Sequence, residues 1–191
     1  MKHEARMNDE REGQRADARQ NREWILEAAR AAFATSPDAS LNSIAKAAGV
    51  GPGTLYRHFP TREALVLAVY RKEIAALVDL APALIVAHAP LEAFRAWCDR
   101  LADYGRMKHG LAEVLHAAIT DRDHEETYWP MVRALDQLLK ACAAAGAFRS
   151  NIDAEDVLLV FGFLWRIKPG LGSKAQARRL IDLLIDGLRA A

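Results

Sequence analysis

Residues 41–59 read LNSIAKAAGVGPGTLYRHF and constrain the architecture of this chain more tightly than any other segment. Their spacing predicts two short helices, 41–48 and about 52–59, joined by a turn that contains Gly49. Glycine tolerates the left-handed backbone conformation with which helices commonly end. Two short helices around such a turn are typical of a helix-turn-helix motif, which we place at about residues 40–59.

The apolar and polar residues of this motif separate onto different faces. The positions that can pack inward are Ile44, Ala45, Ala48, Val50, Leu55 and Phe59. The outer faces of the second helix then carry Thr54, Tyr56, Arg57 and His58. A helix presented in this way fits the major groove of DNA, which is about 12 Å wide. The segment is therefore predicted to bind DNA through its second helix.

The charge distribution supports a local contact with a polyanion. The 191-residue chain has 26 Lys and Arg against 25 Asp and Glu, and 51% of its residues are hydrophobic. Residues 40–72 hold five basic residues and one acidic residue. A nearly neutral chain does not fit a basic coat protein, and its positive charge is concentrated beside the predicted motif.

The rest of the chain is predicted to be all-α, with about nine helices, because apolar residues recur at helical spacing and strand patterns are nearly absent. We expect a flexible arm at 1–19, a three-helix DNA-binding domain at 20–78 with its first clear helix near 21–34, and a second domain at 79–191. A fourth helix is predicted from Arg62 to about Asp79. The later helices are predicted at 91–107, 111–119, 125–145, 153–166 and 173–190.

The arm has two interpretations. Arg11, Arg15, Arg19 and Arg22 recur at roughly helical spacing and could reach the minor groove. The arm is also charge-balanced, so a disordered, solubilising tail is an equal alternative.

Other classes of function find little support in the sequence. There is no motif for a nucleophile and its base or for a phosphate-binding loop, so an enzyme is not expected and neither is a cofactor. The cluster Asp121, Asp123, His124, Glu125 and Glu126 is interpreted as a solvated turn and helix N-terminus rather than a metal site. The longest apolar run, 157–165, is shorter than the ~20 residues of a membrane span. With a polar N-terminus and no signal peptide, the chain is expected in the cytoplasm, without a membrane partner and nucleoid-associated when bound to DNA.

Several strings within residues 20–78 follow one another in a recognisable order. They are Ile44–Ala45, Ala48–Gly49–Val50, GTLYRHF at 53–59 and TREAL at 61–65. Together they resemble the DNA-binding domain of the TetR family of transcriptional regulators. The C-terminal part resembles that family more loosely, in length and helicity.

The resemblance implies a set of DNA-contacting residues. They are Ser43, Lys46, Gly51, Pro52, Gly53, Thr54, Tyr56, Arg57, His58 and Arg62. Tyr56 and His58 match positions that usually contact phosphate, and Arg62 matches a usual phosphate-binding lysine. The sequence departs from the commoner pattern at Gly51, where Ser is frequent, and at Pro52, where a polar or basic residue often reads a base.

The resemblance implies an effector cavity in the second domain, because members of the family bind effectors inside this helical bundle. Phe94, Trp97, Leu101 and Tyr104 recur at 3-4-3 spacing, which is first a core stripe and alternatively one wall of a cavity. Pockets for small molecules combine aromatic walls with a few polar groups. The expected lining residues are Trp97, Tyr104, His116, Tyr128, Trp129 and Met131.

The last two helices are predicted to form a homodimer interface. Its expected residues are Val157, Phe161, Trp165, Ile181, Leu184 and Leu188. The resemblance implies a four-helix bundle, which would set two recognition helices about 34 Å apart on a palindromic operator.

The function that the resemblance implies is a repressor released from double-stranded operator DNA by an unidentified small molecule. An alternative keeps DNA binding but assigns control to a protein partner or to oxidation of Cys98 and Cys142, which are otherwise expected to be buried thiols.

Overall fold

The computed structural model describes residues 2–168 and 170–190, with the side chains of 2–12, 14, 124 and 165 outside the described part. These residues form nine α-helices, one 3₁₀ helix and no strand, which confirms the predicted all-α class. The α-helices are α1 (Lys2–Thr35), α2 (Leu41–Ala47), α3 (Pro52–His58), α4 (Arg62–Ala87), α5 (Pro90–Gly110), α6 (Ala112–Ala118), α7 (Asp121–Ala144), α8 (Ala154–Val160) and α9 (Ser173–Leu188). The 3₁₀ helix, Phe161–Arg166, directly follows α8. None of the described helices is both long and apolar enough to cross a membrane.

The chain divides into two compact units between Val69 and Tyr70, within α4, whereas the predicted domain boundary lies at 78/79. In the first unit, α1, α2 and α3 pack on one another. Its buried apolar residues include Ile25, Leu26, Ala29, Phe33, Ile44, Ala45, Leu55, Phe59, Leu65 and Val66. The unit therefore has a small core of its own.

Local signals in the sequence explain the helix-turn-helix. The Ser40 hydroxyl caps α2 by accepting a hydrogen bond from the backbone N–H of Ser43 at 3.1 Å. Gly49 follows α2 with φ of 69°, a conformation that side chains with a Cβ rarely adopt. Pro52 occupies the first turn of α3, where its missing N–H costs no hydrogen bond.

The first helix is longer than predicted. It begins at Lys2, not near Asn21, and residues 2–19 continue it, where a flexible arm is expected. The prediction required an apolar stripe, but this stretch is rich in Arg, Glu and Ala, which favour helix without one. The flexibility of the arm stays a prediction. Trp24, further along the same helix, is 49% exposed.

The second unit is built around α5, which packs against α7, α9 and the 3₁₀ helix. Its centre is aromatic: the ring centroids of Phe94 and Phe148 lie 5.1 Å apart in a T-shaped arrangement. The Phe161 ring lies 6.4 Å from that of Trp97. The indole N–H of Trp97 donates to the carbonyl of Leu77 at 2.9 Å, so this buried polar group is satisfied.

Three predicted helix boundaries in or near the second unit are wrong. The fourth helix does not end near Asp79 but runs through Pro82, which is exposed, to Ala87. The seventh starts at Asp121 rather than 125, because Thr120 and Asp123 form a reciprocal capping box. The predicted helix 153–166 ends as an α-helix at Val160 and tightens into the 3₁₀ helix.

Candidate DNA interface and effector cavity

The face of α3 that could meet DNA is set by two apolar anchors. Leu55 is fully buried, and Phe59, where α3 ends, is nearly so. Because α-helical residues three and four apart share a face, these anchors turn Tyr56 and Arg57 outward. Tyr56 is 46% exposed, so its ring and hydroxyl are available at the surface of α3.

The predicted DNA-contacting residues differ in exposure. Those that are exposed are Ser43 and Lys46 on α2 and Gly51, Pro52, Gly53, Tyr56 and Arg57 in or beside α3. Thr54, His58 and Arg62 are half-buried. No acidic residue occurs between residues 40 and 59, so the two short helices present positive charge only. Contact of these residues with DNA stays a prediction.

Two of these residues also have partners within the unit. The Ser43 hydroxyl donates to the Ser40 carbonyl at 2.8 Å, at the start of α2. The Arg62 guanidinium donates to the carbonyls of Ala39, at 2.5 Å, and of Pro37. Its central carbon lies 5.1 Å from the centroid of the Phe33 ring. Arg62 therefore ties the start of α4 to the turn between α1 and α2, a role that the sequence did not indicate.

A second arginine contacts Phe59, the residue at which α3 ends. The guanidinium carbon of Arg22, on α1, lies 5.3 Å from the centroid of Phe59. Cation–π contacts of this kind contribute about 0.5–1 kcal/mol at exposed sites. The contact supports the position of Phe59, and through it the outward orientation of α3.

The second unit contains a half-enclosed cavity of about 240 Å³. Its lining comes from the second-unit part of α4, from α5, α7 and α8, and from the start of the 3₁₀ helix. The lining residues are Tyr70, Ile74, Tyr104, Lys108, Thr127, Tyr128, Met131, Leu158, Leu159 and Gly162. An apolar wall with a few convergent polar groups is typical of small-molecule sites.

Hydrogen bonds organise the polar side of the cavity. The hydroxyls of Tyr70 and Thr127 lie 3.2 Å apart, and the Thr127 hydroxyl donates to the Asp123 carbonyl at 2.6 Å. The Tyr128 hydroxyl donates to a carboxylate oxygen of Glu155 at 3.1 Å. Burial raises the pKa of Tyr104 well above its ordinary value, so its hydroxyl remains protonated at neutral pH.

Next to this hydroxyl pair, α4 and α7 are joined by a charged contact. The Arg71 guanidinium donates to Asp123, with its Nε 2.8 Å from Oδ1. Hydrogen bonds from the backbone and side chain of Thr120, together with Arg71, lower the pKa of Asp123 to about 2. The same carboxylate therefore caps α7 and binds α4 beside the cavity.

The six residues predicted to line an effector cavity lie in different environments. Tyr104, Tyr128 and Met131 do line the cavity. Trp97 instead lies in the core, fully buried. Trp129 is 46% exposed, because adjacent helical residues point about 100° apart, and His116 is exposed on α6.

The sequence analysis missed other lining residues, notably Tyr70, Lys108 and Thr127. Lys108 could have been found, because it follows Tyr104 by four residues and so shares its helix face. Tyr70 and Thr127 lie on different helices, far apart in sequence, and no local spacing relates them.

The residues predicted for the dimer interface differ in exposure within the protomer. Val157, Phe161, Ile181 and Leu188 are buried in the protomer's own core, and Leu184 is half-buried. The side chain of Trp165 lies outside the described part. Apolar side chains that α8 and α9 leave exposed are those of Leu159 (65%), Val160 (52%) and Leu183 (68%). The periodicity identified apolar helices but not which face the protomer itself covers.

Cysteine and metal chemistry receive no support from the structure. Cys98 and Cys142 are both buried, and burial raises the pKa of each thiol, that of Cys142 to about 11. A protonated, inaccessible thiol is a poor redox sensor. Among the described side chains, no group of three His, Cys, Asp or Glu residues is arranged to hold a metal ion, and that of His124 lies outside them.

Comparisons with known families cover both units. The profile described as bacterial regulatory proteins, tetR family, matches residues 25–69. The profile described as the C-terminal domain of SbtR-like transcriptional regulators matches residues 89–190. A search of the curated proteins found no match.

Solved structures extend the comparison. A TetR transcriptional regulator from Streptomyces coelicolor is 42% identical, with 89% of this chain and 99% of that chain covered and a TM-score of 0.78. A TetR transcription regulatory protein from Mycobacterium vanbaalenii is 30% identical, with 92% and 99% covered and a TM-score of 0.73. A gamma-butyrolactone receptor at 23% identity, with 92% and 91% covered and a TM-score of 0.59, shares the fold alone. On the family profiles and the two closer similarities, this chain belongs to the TetR family of transcriptional regulators.

Proposed function

We propose that this protein is a homodimeric repressor that binds a palindromic operator and is released from it by a small molecule. The observation that carries the proposal is the outward, acid-free face of α2 and α3. Leu55 and Phe59 anchor that face, and it exposes Lys46, Tyr56 and Arg57.

The chemistry of this face suits DNA. Lys46 can neutralise phosphate, and Arg57 can contact either phosphate or the acceptor atoms of a guanine edge. Tyr56 can donate to a phosphate while its ring packs on the sugar. Pro52 can make an apolar contact with a thymine methyl group. A polar side chain at this position would instead form a hydrogen bond to a base.

The cavity supplies a means of control. Tyr70 and Ile74 line it from α4, and the same helix begins at Arg62, which binds the turn between α1 and α2. A ligand that changes the position of α4 at the cavity therefore acts on the helix that carries Arg62. The two recognition helices of a dimer must lie about 34 Å apart to reach successive turns of DNA. A shift of α4 would change that separation.

The exposed apolar side chains of α8 and α9 support the dimer. More than half of the surface is exposed in Leu159, Val160 and Leu183. Contact of neighbouring apolar side chains with water is unfavourable and is typical of a surface that another molecule covers. We propose that a second copy covers them, in place of the buried residues that the sequence predicted.

The proposal can be tested by fluorescence anisotropy with the intergenic DNA beside the protein's own gene, at two salt concentrations. We expect saturable binding that weakens steeply with salt, and a loss of roughly 5- to 150-fold in affinity for Tyr56→Ala and Arg57→Ala. Arg133→Ala, which removes an exposed arginine on α7, is the matched control and should bind normally. Equal losses in all three variants, or no salt-dependent binding by the wild-type protein, would contradict the proposal.

A further inference from the structure

We propose that the cavity of the second unit binds a small carboxylate with an apolar body, and that Lys108 binds the carboxylate. This inference rests on the proposed function, because it names the class of effector for the same cavity. It is carried by the position of one lysine in an otherwise uncharged lining.

The charge of the lining is the first argument. Among the described residues that line the cavity, Lys108 is the one whose side chain carries a charge. The other polar lining groups are the hydroxyls of Tyr70, Tyr104, Thr127 and Tyr128. A lysine and hydroxyl donors together form a positive site that favours an anion over a neutral or cationic ligand.

The environment of Lys108 is the second argument. The side chain is half-buried on α5, and its Nζ lies 5.8 Å from the centroid of the Tyr70 ring. Burial lowers the pKa of Lys108, which means that the charged ammonium is poorly solvated there. A bound carboxylate would replace the missing solvation, so the ammonium gains more from an anion here than it would on an open surface.

Nearby acidic groups already have partners of their own. The carboxylate of Glu73 accepts a hydrogen bond from Arg100 at 2.6 Å. That of Glu155 accepts from Tyr128, and that of Asp123 accepts from Arg71. Each of these carboxylates thus has a donor of its own beside the cavity.

The remaining wall indicates the rest of the ligand. Ile74, Met131, Leu158 and Leu159 supply an apolar surface for a hydrocarbon chain or ring. The cavity has a volume of about 240 Å³. Sites for drug-sized molecules are larger, at about 300–1,000 Å³. The geometry therefore points to a short aliphatic or single-ring carboxylic acid.

The proposal is tested by calorimetric titration of the full-length protein, without DNA, using matched pairs of probes. The pairs are octanoate with octanamide and phenylacetate with phenylacetamide, and octylammonium serves as the cationic counterpart of octanoate. For at least one pair we expect the carboxylate to bind tenfold or more tightly than its amide. Octylammonium should bind more weakly than octanoate.

Variants assign the preference to Lys108. Lys108→Met should reduce the preference for the carboxylate to less than twofold, while Lys108→Arg should retain most of it. Lys140→Met, which removes an exposed lysine of α7, should behave as the wild type does. Thermal melting shows whether each variant is folded, and the Lys108→Arg result keeps the test valid if Lys108→Met is unstable.

Three results would overturn the proposal: equal binding of carboxylate and amide, a preference that survives Lys108→Met, or no binding of any probe to the wild-type protein. Failure of the proposed function is a separate outcome. A carboxylate that binds through Lys108 but does not weaken the complex with operator DNA would overturn effector control and leave the ligand class intact.

Discussion

The two units hold their helices together by different means. In the first unit, an ion pair runs along α1, between Arg30 and Glu27 at 2.7 Å. In the second unit, ion pairs join separate helices: Arg71 with Asp123, Arg100 with Glu73, and Arg95 with Asp182. The first unit relies on its apolar core and on arginines that contact rings and carbonyls. The second adds polar links between helices around a cavity.

This difference bears on what each unit can do. An apolar core is close-packed and resists small displacements, so the first unit presents a fixed surface. Polar links at a half-exposed cavity can exchange partners with a ligand or with water at lower cost. The first unit is thus suited to rigid recognition, and the second to a change of state on binding.

The largest expected effect concerns the core of the second unit. Trp97→Ala should lower the free energy of unfolding by about 3–5 kcal/mol, because it removes a fully buried ring and its hydrogen bond to the carbonyl of Leu77. Trp129→Ala, which removes a half-exposed tryptophan, should change it by less than about 1 kcal/mol. Urea unfolding measures both. If the two variants were equally stable, Trp97 would not be a core residue.

The next largest effect concerns the exposed apolar face of α8 and α9. Leu183→Glu should weaken dimerisation by about 2 kcal/mol or more, roughly 30-fold, because it buries an unpaired charge in the proposed interface. Leu171→Glu, in a loop where the leucine is fully exposed, is the matched control. Light scattering across a dilution series measures the dimer. A Leu183→Glu protein as dimeric as the control would exclude this face.

The link between α4 and α7 should have an intermediate effect. Asp123→Asn should cost about 1–2 kcal/mol of stability, because it weakens both the cap of α7 and the pair with Arg71. Asp121→Asn, an exposed residue of the same turn, should have little effect. The pKa of Asp123 is lowered from 3.8 to about 2, so its contribution is present above pH 3.8 and is lost as pH falls toward 2. The difference between Asp123→Asn and wild type should therefore shrink over that interval in acid titrations of unfolding.

The smallest effect distinguishes two basic residues of the first unit. Arg62→Met should lower stability by about 1 kcal/mol, since its guanidinium binds two carbonyls, and leave the salt dependence of DNA binding unchanged. Lys46→Met should leave stability nearly unchanged and reduce the slope of log affinity against log salt by about 1. The same reduction in Arg62→Met would show that Arg62 binds phosphate as the family resemblance implies.

The sequence predicted best where short-range chemistry decides the structure. Ser40 and Pro52 begin the two helices of the helix-turn-helix and Gly49 ends the first, and each acts within a few residues. The start of α7 also has a local signal, because Thr120 and Asp123 have the spacing of a capping box. The run of charges beside them favours a loop when that signal is ignored.

The cavity and the dimer face could not be predicted in the same way. Periodicity shows that α8 and α9 are apolar, but the partner of each face depends on helices distant in sequence. Phe161 therefore belongs to the core while Leu159, two residues earlier, is exposed. Tyr70 and Thr127 meet only because α4 and α7 cross at that point.

The 3₁₀ helix that follows α8 forms part of the cavity wall, and its length would change if it rewound into α-helix. A 3₁₀ helix rises about 2.0 Å per residue and an α-helix about 1.5 Å, so winding its six residues, Phe161–Arg166, into α-helix would shorten the chain by about 3 Å. Gly162, at the start of this segment, is part of the wall. Rewinding would draw the end of α8 toward α9 by up to about 3 Å, without breaking the helix to which the wall belongs.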